Sequence, residues 1–460
     1  MNDQQQKMNP RQYFNHLLHH QKIYLCILLL VLSTAILVLN YLHQKPLLMG
    51  GESYYYLSSA PQELLYNPLT LIFKLIPDQL LFLLPPLISL GTMVLFYVLA
   101  EKIKISEKNT FFIALFYILT PTFIFTSLTL SSYALYLLLV LGGANLLLLE
   151  SRKKYFSIIP FLLASCIDTF SAMLLLAGIA GYFFIFKKSR ERFPTIIIAS
   201  VAAMLIVNAV ILNTPFFIGP FLIQNRASDL ISDLGGFSGV GFFSILLAFI
   251  GLIIYWQKKN LPLLISTLVI FIAAYVFNTH TVFFLSLLIV ILASAGFEYL
   301  LEQNWKISFL RNAVLLLLLL GISFSAVAYH DRLSHYSPTS VDQKALGWIQ
   351  RNTPKEAVVL SAPENSYYIS YFAQRKPVFA LHQDYRQQDD LSQRIFTSYY
   401  IDNLFPLLDE NKVSIIYVSE DMKRKFPAQQ EFLFLLQNER FKLLYFTEEA
   451  EVWSFEEAKQ

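Results

Sequence analysis

Glu52 is the residue best placed to do chemistry. It stands just beyond the first long apolar run, in the stretch MGGESYYYLSSAPQELLYNPLTLIFKLIP, with Tyr54, Tyr55 and Tyr56 close behind it. A carboxylate at a membrane–water boundary can take a proton from an incoming nucleophile or orient it, as a general base does. The neighbouring tyrosines equally suit an aromatic belt that anchors a helix end. On the residues alone both readings stand. Asp168 sits at the centre of the apolar stretch 155–186, and an acid there is costly unless it reaches a surface or a cavity. It serves either as a cap at a helix break or as a site residue facing Glu52.

Arg226, Asp229 and Asp233 follow at steps of three and four residues, which places them on one face of a helix. Arg226 can then orient a phosphate or make a surface ion pair, and Asp233 with the two glycines after it also suits a turn. His280 opens another apolar run; its imidazole either donates to a lipid-linked phosphate or is an interfacial histidine with no role. His16, His19 and His20 are spaced irregularly for a single metal face and receive none. The two cysteines, Cys26 and Cys166, both lie in apolar runs, so neither a disulfide framework nor a thiolate metal site is available.

The elements that must position these residues are set by hydropathy. Hydrophobic residues make up 55% of the 460 and charged residues 15%, with a mean hydropathy of +0.51. That composition excludes an ordinary soluble globule. Apolar runs fall near 23–42, 80–100, 110–127, 131–149, 194–213, 237–256, 261–277, 281–298 and 312–330, each close to the length a helix needs to cross a bilayer. The stretch 155–186 would reach about 48 Å as one helix, too long for one span, so two short spans meeting near Asp168 are expected. The first run is too long for a signal-peptide core and reads as an uncleaved span.

Positive charge orients these spans. Lys7, Arg11 and Lys22, then Lys102, Lys104 and Lys108, then Arg152 to Lys154, then Lys187, Lys188, Arg190 and Arg192 form clusters separated by even numbers of spans. Lys258 with Lys259 and Lys306 with Arg311 continue the pattern. Cytoplasmic loops collect such charge, so the expected fold is a polytopic α-helical membrane protein of about eleven transmembrane helices. Residues 1–22 form a cytoplasmic arm, 23–330 the membrane domain with external loops 43–79 and 214–236, and 331–460 an extracytoplasmic domain. The net charge of +3 is accounted for by topology, and nucleic acid is not an expected partner. Long external segments on a helical scaffold are where a site is expected.

From 341 the periodicity changes. SVDQKALGWIQRN reads as a helix, AVVLS as a strand and YYISYFAQ as a helix; KVSIIYV and FKLLYFT read as strands on either side of the amphipathic FPAQQEFLFLLQNE. Such alternation suggests a small α/β domain.

One span, an acid, Y-Y-Y-L and then N-P-L before the second span resembles the first external loop of the C-type (GT-C) membrane glycosyltransferases, which include the catalytic subunits of archaeal and bacterial oligosaccharyltransferases. The resemblance implies that Glu52 is the catalytic acid, where relatives usually carry Asp. GWIQRNTPKEAVVLSAPENSYYISYFAQRKPVF is similar to the start of the soluble domain in those enzymes, and DLISDLGGFSGVGFF to a loop-to-span segment in archaeal relatives. Arg375 matches an arginine common after this tail helix, where it closes the domain against the membrane part or pairs with Glu364. Two family patterns are missing. Ala362 to Ser366 stand where the sequon-recognising W-W-D-Y-G motif is expected, and Ser127 to Ser131 contain no Asp-x-Asp. A Mg²⁺ or Mn²⁺ ion, which the family's second loop helps hold, lacks its oxygen ligands there.

The resemblance thus implies a transferase that moves a sugar from a polyprenyl-phosphate-linked donor in the membrane lipid to an unidentified acceptor on the extracytoplasmic face. Glu52 would be its base, with Tyr54, Tyr55, Asp168, Arg226, Asp229, His280 and Arg375 as candidate substrate or phosphate contacts. A non-catalytic scaffold or lipid-binding relative is the alternative, which the two missing motifs favour. A transporter or flippase is the third; it is disfavoured because the spans hold almost no paired charge and the chain has no repeated halves.

Overall fold

Wherever the computed structural model describes the apolar runs, they are helical. The described residues are 21–42, 47–57, 72, 75–149, 152–167, 169–186, 193–211, 230–234, 239–256, 272, 275, 281–334, 337–379, 385–425 and 432–456. Among them three helices are long and apolar enough to cross a membrane: Leu80–Lys102, Val282–Glu302 and Ser308–Leu333. A fourth crossing is available if Glu107–Ile118 and Pro121–Leu128 count as one span. The expected eleven crossings are therefore not reached among the described residues. Five further apolar helices have described stretches of 10–17 residues, two of them within the longer helices Gln21–Leu42 and Thr169–Phe186, and 261–277 lies almost wholly outside the described residues.

The expected single span at 110–127 is corrected to a pair bent by 66°. Pro121 is the cause: it cannot donate to the preceding turn and it drives Thr120 out of the helical region, to φ −74° and ψ 140°. The Thr120 hydroxyl then accepts from the Phe123 amide at 3.4 Å and starts the second helix. The stretch 155–186 is broken near Asp168, as hydropathy predicts, but neither piece is among the three helices long and apolar enough to cross a membrane. Ile158–Ser165 and Thr169–Phe186 are separate helices with the break immediately before Asp168.

Close packing in the bundle depends on small residues. The helices Phe242–Trp256 and Val282–Glu302 touch backbone to backbone: a Cβ at Gly251 would stand 1.9 Å from the Leu292 carbonyl oxygen, and one at Gly296 2.2 Å from that of Leu247. Glycine permits such an approach where apolar side chains gain nothing from leaving lipid. Polar ties fix the ends of the helices. Asn145 Nδ2 donates to the Leu95 carbonyl at 2.8 Å and Lys102 Nζ to that of Asn145 at 2.7 Å, while Lys108 bridges Glu302 at 2.7 Å and Glu298 at 3.4 Å.

The C-terminal part is a five-stranded mixed sheet with helices. Its strands are β1 (Val358–Leu360), β2 (Lys376–Pro377), β3 (Val413–Val418), β4 (Phe441–Phe446) and β5 (Glu451–Phe455), in the order β2-β1-β3-β5-β4. β1 runs parallel to β2 and β3, whereas β5 is antiparallel to both β3 and β4. One apolar layer, including Leu346, Ile349, Ile369, Tyr417 and Val452, packs the helix Ser340–Asn352 and the turn of helix after β1 against the sheet. A second, including Leu360, Phe396, Leu408, Phe432 and Phe455, covers its other side. Thr339 caps the Ser340–Asn352 helix with a reciprocal box to Asp342.

Candidate active site

Glu52 lies in a seven-residue helix, Gly51–Leu57; the side chains of Glu52 and Tyr55 are outside the described residues. Two parts of the chain, far away in sequence, hold this helix. On the membrane side, Met49 forms a parallel bridge with Thr129, at the turn between Pro121–Leu128 and Ser132–Leu147. Gly50 takes φ +74°, and a Cβ there would meet Thr129 Cγ2 at 2.9 Å. Ser53 is wholly buried; its hydroxyl donates to the Met49 carbonyl at 2.5 Å and accepts from the Leu130 amide at 2.9 Å.

On the other side the helix meets the tail. Tyr54 is 3% exposed and its ring lies 5.4, 5.2 and 5.2 Å from those of Tyr368, Tyr371 and Phe372. The Tyr54 hydroxyl donates to the Leu48 carbonyl at 3.0 Å. Gly51 faces the ring of Tyr367, whose Cδ2 would stand 2.4 Å from a Cβ at that position. Burial, reinforced by Tyr368 and Tyr371, raises the Tyr54 phenol well above its ordinary pKa. Tyr368 is likewise raised by burial and by the nearby Asp342 and Asp421. Tyr54 is therefore a neutral donor fixed in an aromatic box rather than a base.

The other sequence candidates separate. Asp168, Arg226, Asp229 and His280 lie outside the described residues. Arg375 is 7% exposed and engages all five guanidinium N–H groups within the tail. They donate to the Thr353 hydroxyl at 3.0 Å and to the carbonyls of Ala373 at 3.3 Å, Gln374 at 3.1 Å, Gln350 at 2.6 Å and Thr353 at 2.6 Å. This arginine locks the end of Ser340–Asn352 onto the left-handed turn at Gln374, φ 51°. Asp233, from the 214–236 loop, caps the next helix: its carboxylate accepts from the Phe242 amide at 2.6 Å and from the Ser325 hydroxyl at 2.5 Å.

The turn at 126–131 tests the fit of a divalent cation. Thr126, Ser127 and Thr129 turn their hydroxyls back onto the carbonyls of Phe123, Ile124 and Phe125 at 3.0, 2.9 and 2.8 Å. The segment is buried and carries no carboxylate, and among the described residues no three His, Cys, Asp or Glu side chains stand together. These residues do not fit a hard oxygen-seeking ion.

Hydropathy and the acid motif single out Glu52, whereas the residues that place it, Gly50, Ser53, Thr129 and Tyr367, are named only by the structure. The glycine pair before the acid is the one local signal for them.

Apolar helices thus feed a short loop helix that carries Glu52, and a mixed-sheet tail packs on that loop. The chain is similar in fold to the oligosaccharyltransferase of Archaeoglobus fulgidus. Its apo form superposes with a TM-score of 0.56 at 11% identity, over 96% of this chain and 75% of that one. The form tethered to an acceptor peptide containing the NVT sequon gives 0.54 at 12% identity, over 95% and 74%. The complex with Zn and sulfate gives 0.52 at 12% identity, over 94% and 73%. No family model and no curated protein matches the sequence. The likeness read from the first loop and the start of the tail thus holds for the fold of nearly the whole chain.

Proposed function

We propose that this protein is an integral membrane glycosyltransferase that moves a sugar from a polyprenyl-phosphate-linked donor to an acceptor hydroxyl on the extracytoplasmic face. The observation that carries the reading is the fixed loop helix: Gly51–Leu57, which includes Glu52, is anchored by the apolar helices on one side and the tail on the other, in a chain similar in fold to an oligosaccharyltransferase. In the proposed reaction the acceptor oxygen bonds to the anomeric carbon as the bond from that carbon to the phosphate oxygen breaks. The electron pair leaves with polyprenyl phosphate, and the acceptor proton goes to Glu52. A cation beside the leaving phosphate lowers the barrier further, and Arg226 or His280 is the proposed source. No step runs through a metal.

The test is release of polyprenyl phosphate from a labelled short-chain polyprenyl-phosphate hexose, in the presence of native membrane acceptors. Glu52→Gln removes the base while keeping size, and a loss of about 10²–10⁴-fold in turnover is expected. Turnover near the wild-type level would refute the assignment. The buried, carboxylate-free turn at 126–131 favours a second reading, a non-catalytic scaffold that keeps the fold; absence of transfer by the wild-type chain with a bound polyprenyl phosphate lipid would support it.

A further inference from the structure

The Gly51–Leu57 helix is too short to hold its own position. Its described anchors come from two places. The 129–130 backbone grips it through Ser53 and Met49, and the tail segment Ser366–Ala373 grips it through Gly51 and Tyr54. Residue 52 stands between one anchored neighbour of each kind, Gly51 against Tyr367 and Ser53 against Leu130. The tail side contributes aromatic area: rings at 5.2–5.4 Å surround Tyr54, and the Tyr367 ring lies against a glycine. Such a contact is rigid when seated, because any residue larger than glycine at 51 displaces the ring.

We infer that Tyr367, on the C-terminal tail, is a positioning residue for Glu52, and that the acid is competent only while the Tyr367–Gly51 contact is seated. The inference rests on the proposed transferase reading. Tyr367 acts through the loop helix: its ring sets the tilt of Gly51–Leu57 against the membrane helices, and a shift of about 1 Å at a reacting group is worth up to about a hundredfold in rate. The tail is then part of the catalytic unit as well as a neighbour of it.

The experiment uses the full chain in detergent or nanodiscs, with two readouts: amide hydrogen exchange across 47–57 and steady-state release of polyprenyl phosphate from the hexose probe. In Tyr367→Ala, exchange at Ser53 and Tyr54 is expected to accelerate. Turnover is expected to fall by about ten- to a hundredfold with the donor KM unchanged, and Tyr367→Phe, which keeps the ring, should restore most of it. If Tyr367→Ala unfolds the tail, Gly51→Ala disturbs the same contact from the loop side and should give the same split. Faster exchange with unchanged turnover overturns the inference and leaves the transferase reading intact. Unchanged exchange in both variants overturns it as well. A wild-type chain that releases no polyprenyl phosphate overturns both together.

Discussion

Replacing Arg375 with methionine keeps the length of the side chain and removes five donors at once. Four backbone carbonyls and the Thr353 hydroxyl lose their partner, in a site 7% exposed. The two bonds at 2.6 Å, to the carbonyls of Gln350 and Thr353, are charge-assisted and contribute about 1.5 kcal/mol each. Water can replace part of the three longer ones, so the expected loss is about 3 kcal/mol. For a tail of this size that lowers the unfolding midpoint by about 10 °C. Lysine is not a substitute, since a point charge cannot serve five acceptors spread around a planar fork. The assay is thermal unfolding of the full chain in detergent, followed by Trp348 and Trp453 fluorescence with Trp256 and Trp305 replaced by phenylalanine. Trp348 lies on the helix that Arg375 locks. A midpoint that stays within a degree or two of wild type, together with a raised KM for the polyprenyl-phosphate hexose, would refute the structural role and make Arg375 a phosphate contact.

The remaining predictions follow from packing and burial. Gly296→Ala puts a Cβ 2.2 Å from a backbone carbonyl and should cost about 2–3 kcal/mol by forcing the two helices apart; an unchanged detergent unfolding midpoint would contradict the close crossing. Tyr54, Tyr368 and Tyr417 all have phenol pKa values raised in the folded chain, by burial first. Their contribution is therefore fully present below the unfolded tyrosine pKa of about 10 and is lost as pH rises above it, by about 1.4 kcal/mol per pH unit for each. Urea midpoints measured from pH 8 to pH 11 should fall only above pH 10, and less steeply in Tyr417→Phe. Both ring nitrogens of His330 are buried with no hydrogen-bond partner among the described residues, so His330→Leu should be neutral or stabilising by up to about 1 kcal/mol. A loss of more than that in the same unfolding assay would show that the ring is bonded.

Hydropathy carries the helical half of the molecule well because burial in lipid needs only composition and length. It locates the long helices at 80–102, 282–302 and 308–334 and the break before Asp168. It fails at 110–127, where the run is apolar throughout and the decisive event is one proline. Thr120-Pro121 is visible in the sequence, but a proline inside a span kinks or breaks the helix according to what re-satisfies the freed backbone groups. Here the Thr120 hydroxyl does so by capping a new helix. In the tail, β1, β3 and β4 follow from alternating β-branched and aromatic residues, whereas β2, two residues long, exists only because it pairs beside β1. β5, at Glu451–Phe455, has polar residues three apart, Glu451 and Ser454, which breaks the alternation of a strand, and it acquires its place from pairing with both β3 and β4.

The site divides along the same line. An acid at the end of a span is a local pattern, and Glu52 can be found from it. Its placement is a non-local fact: Ser53 bonds to a backbone amide 77 residues away, and Gly51 meets a ring from Tyr367. Neither partner carries a signature of its own, since buried serines and tyrosines are mostly structural. Arg375 shows the converse case. An arginine after the tail helix invites a phosphate role, yet five engaged donors leave the guanidinium no N–H group with which to hold one. Charge alone therefore does not identify a ligand contact in this chain; a free donor does, and that is a property of the folded molecule. The residues that fix the loop are mostly uncharged, so the chemistry proposed for Glu52 depends on packing as much as on the acid itself.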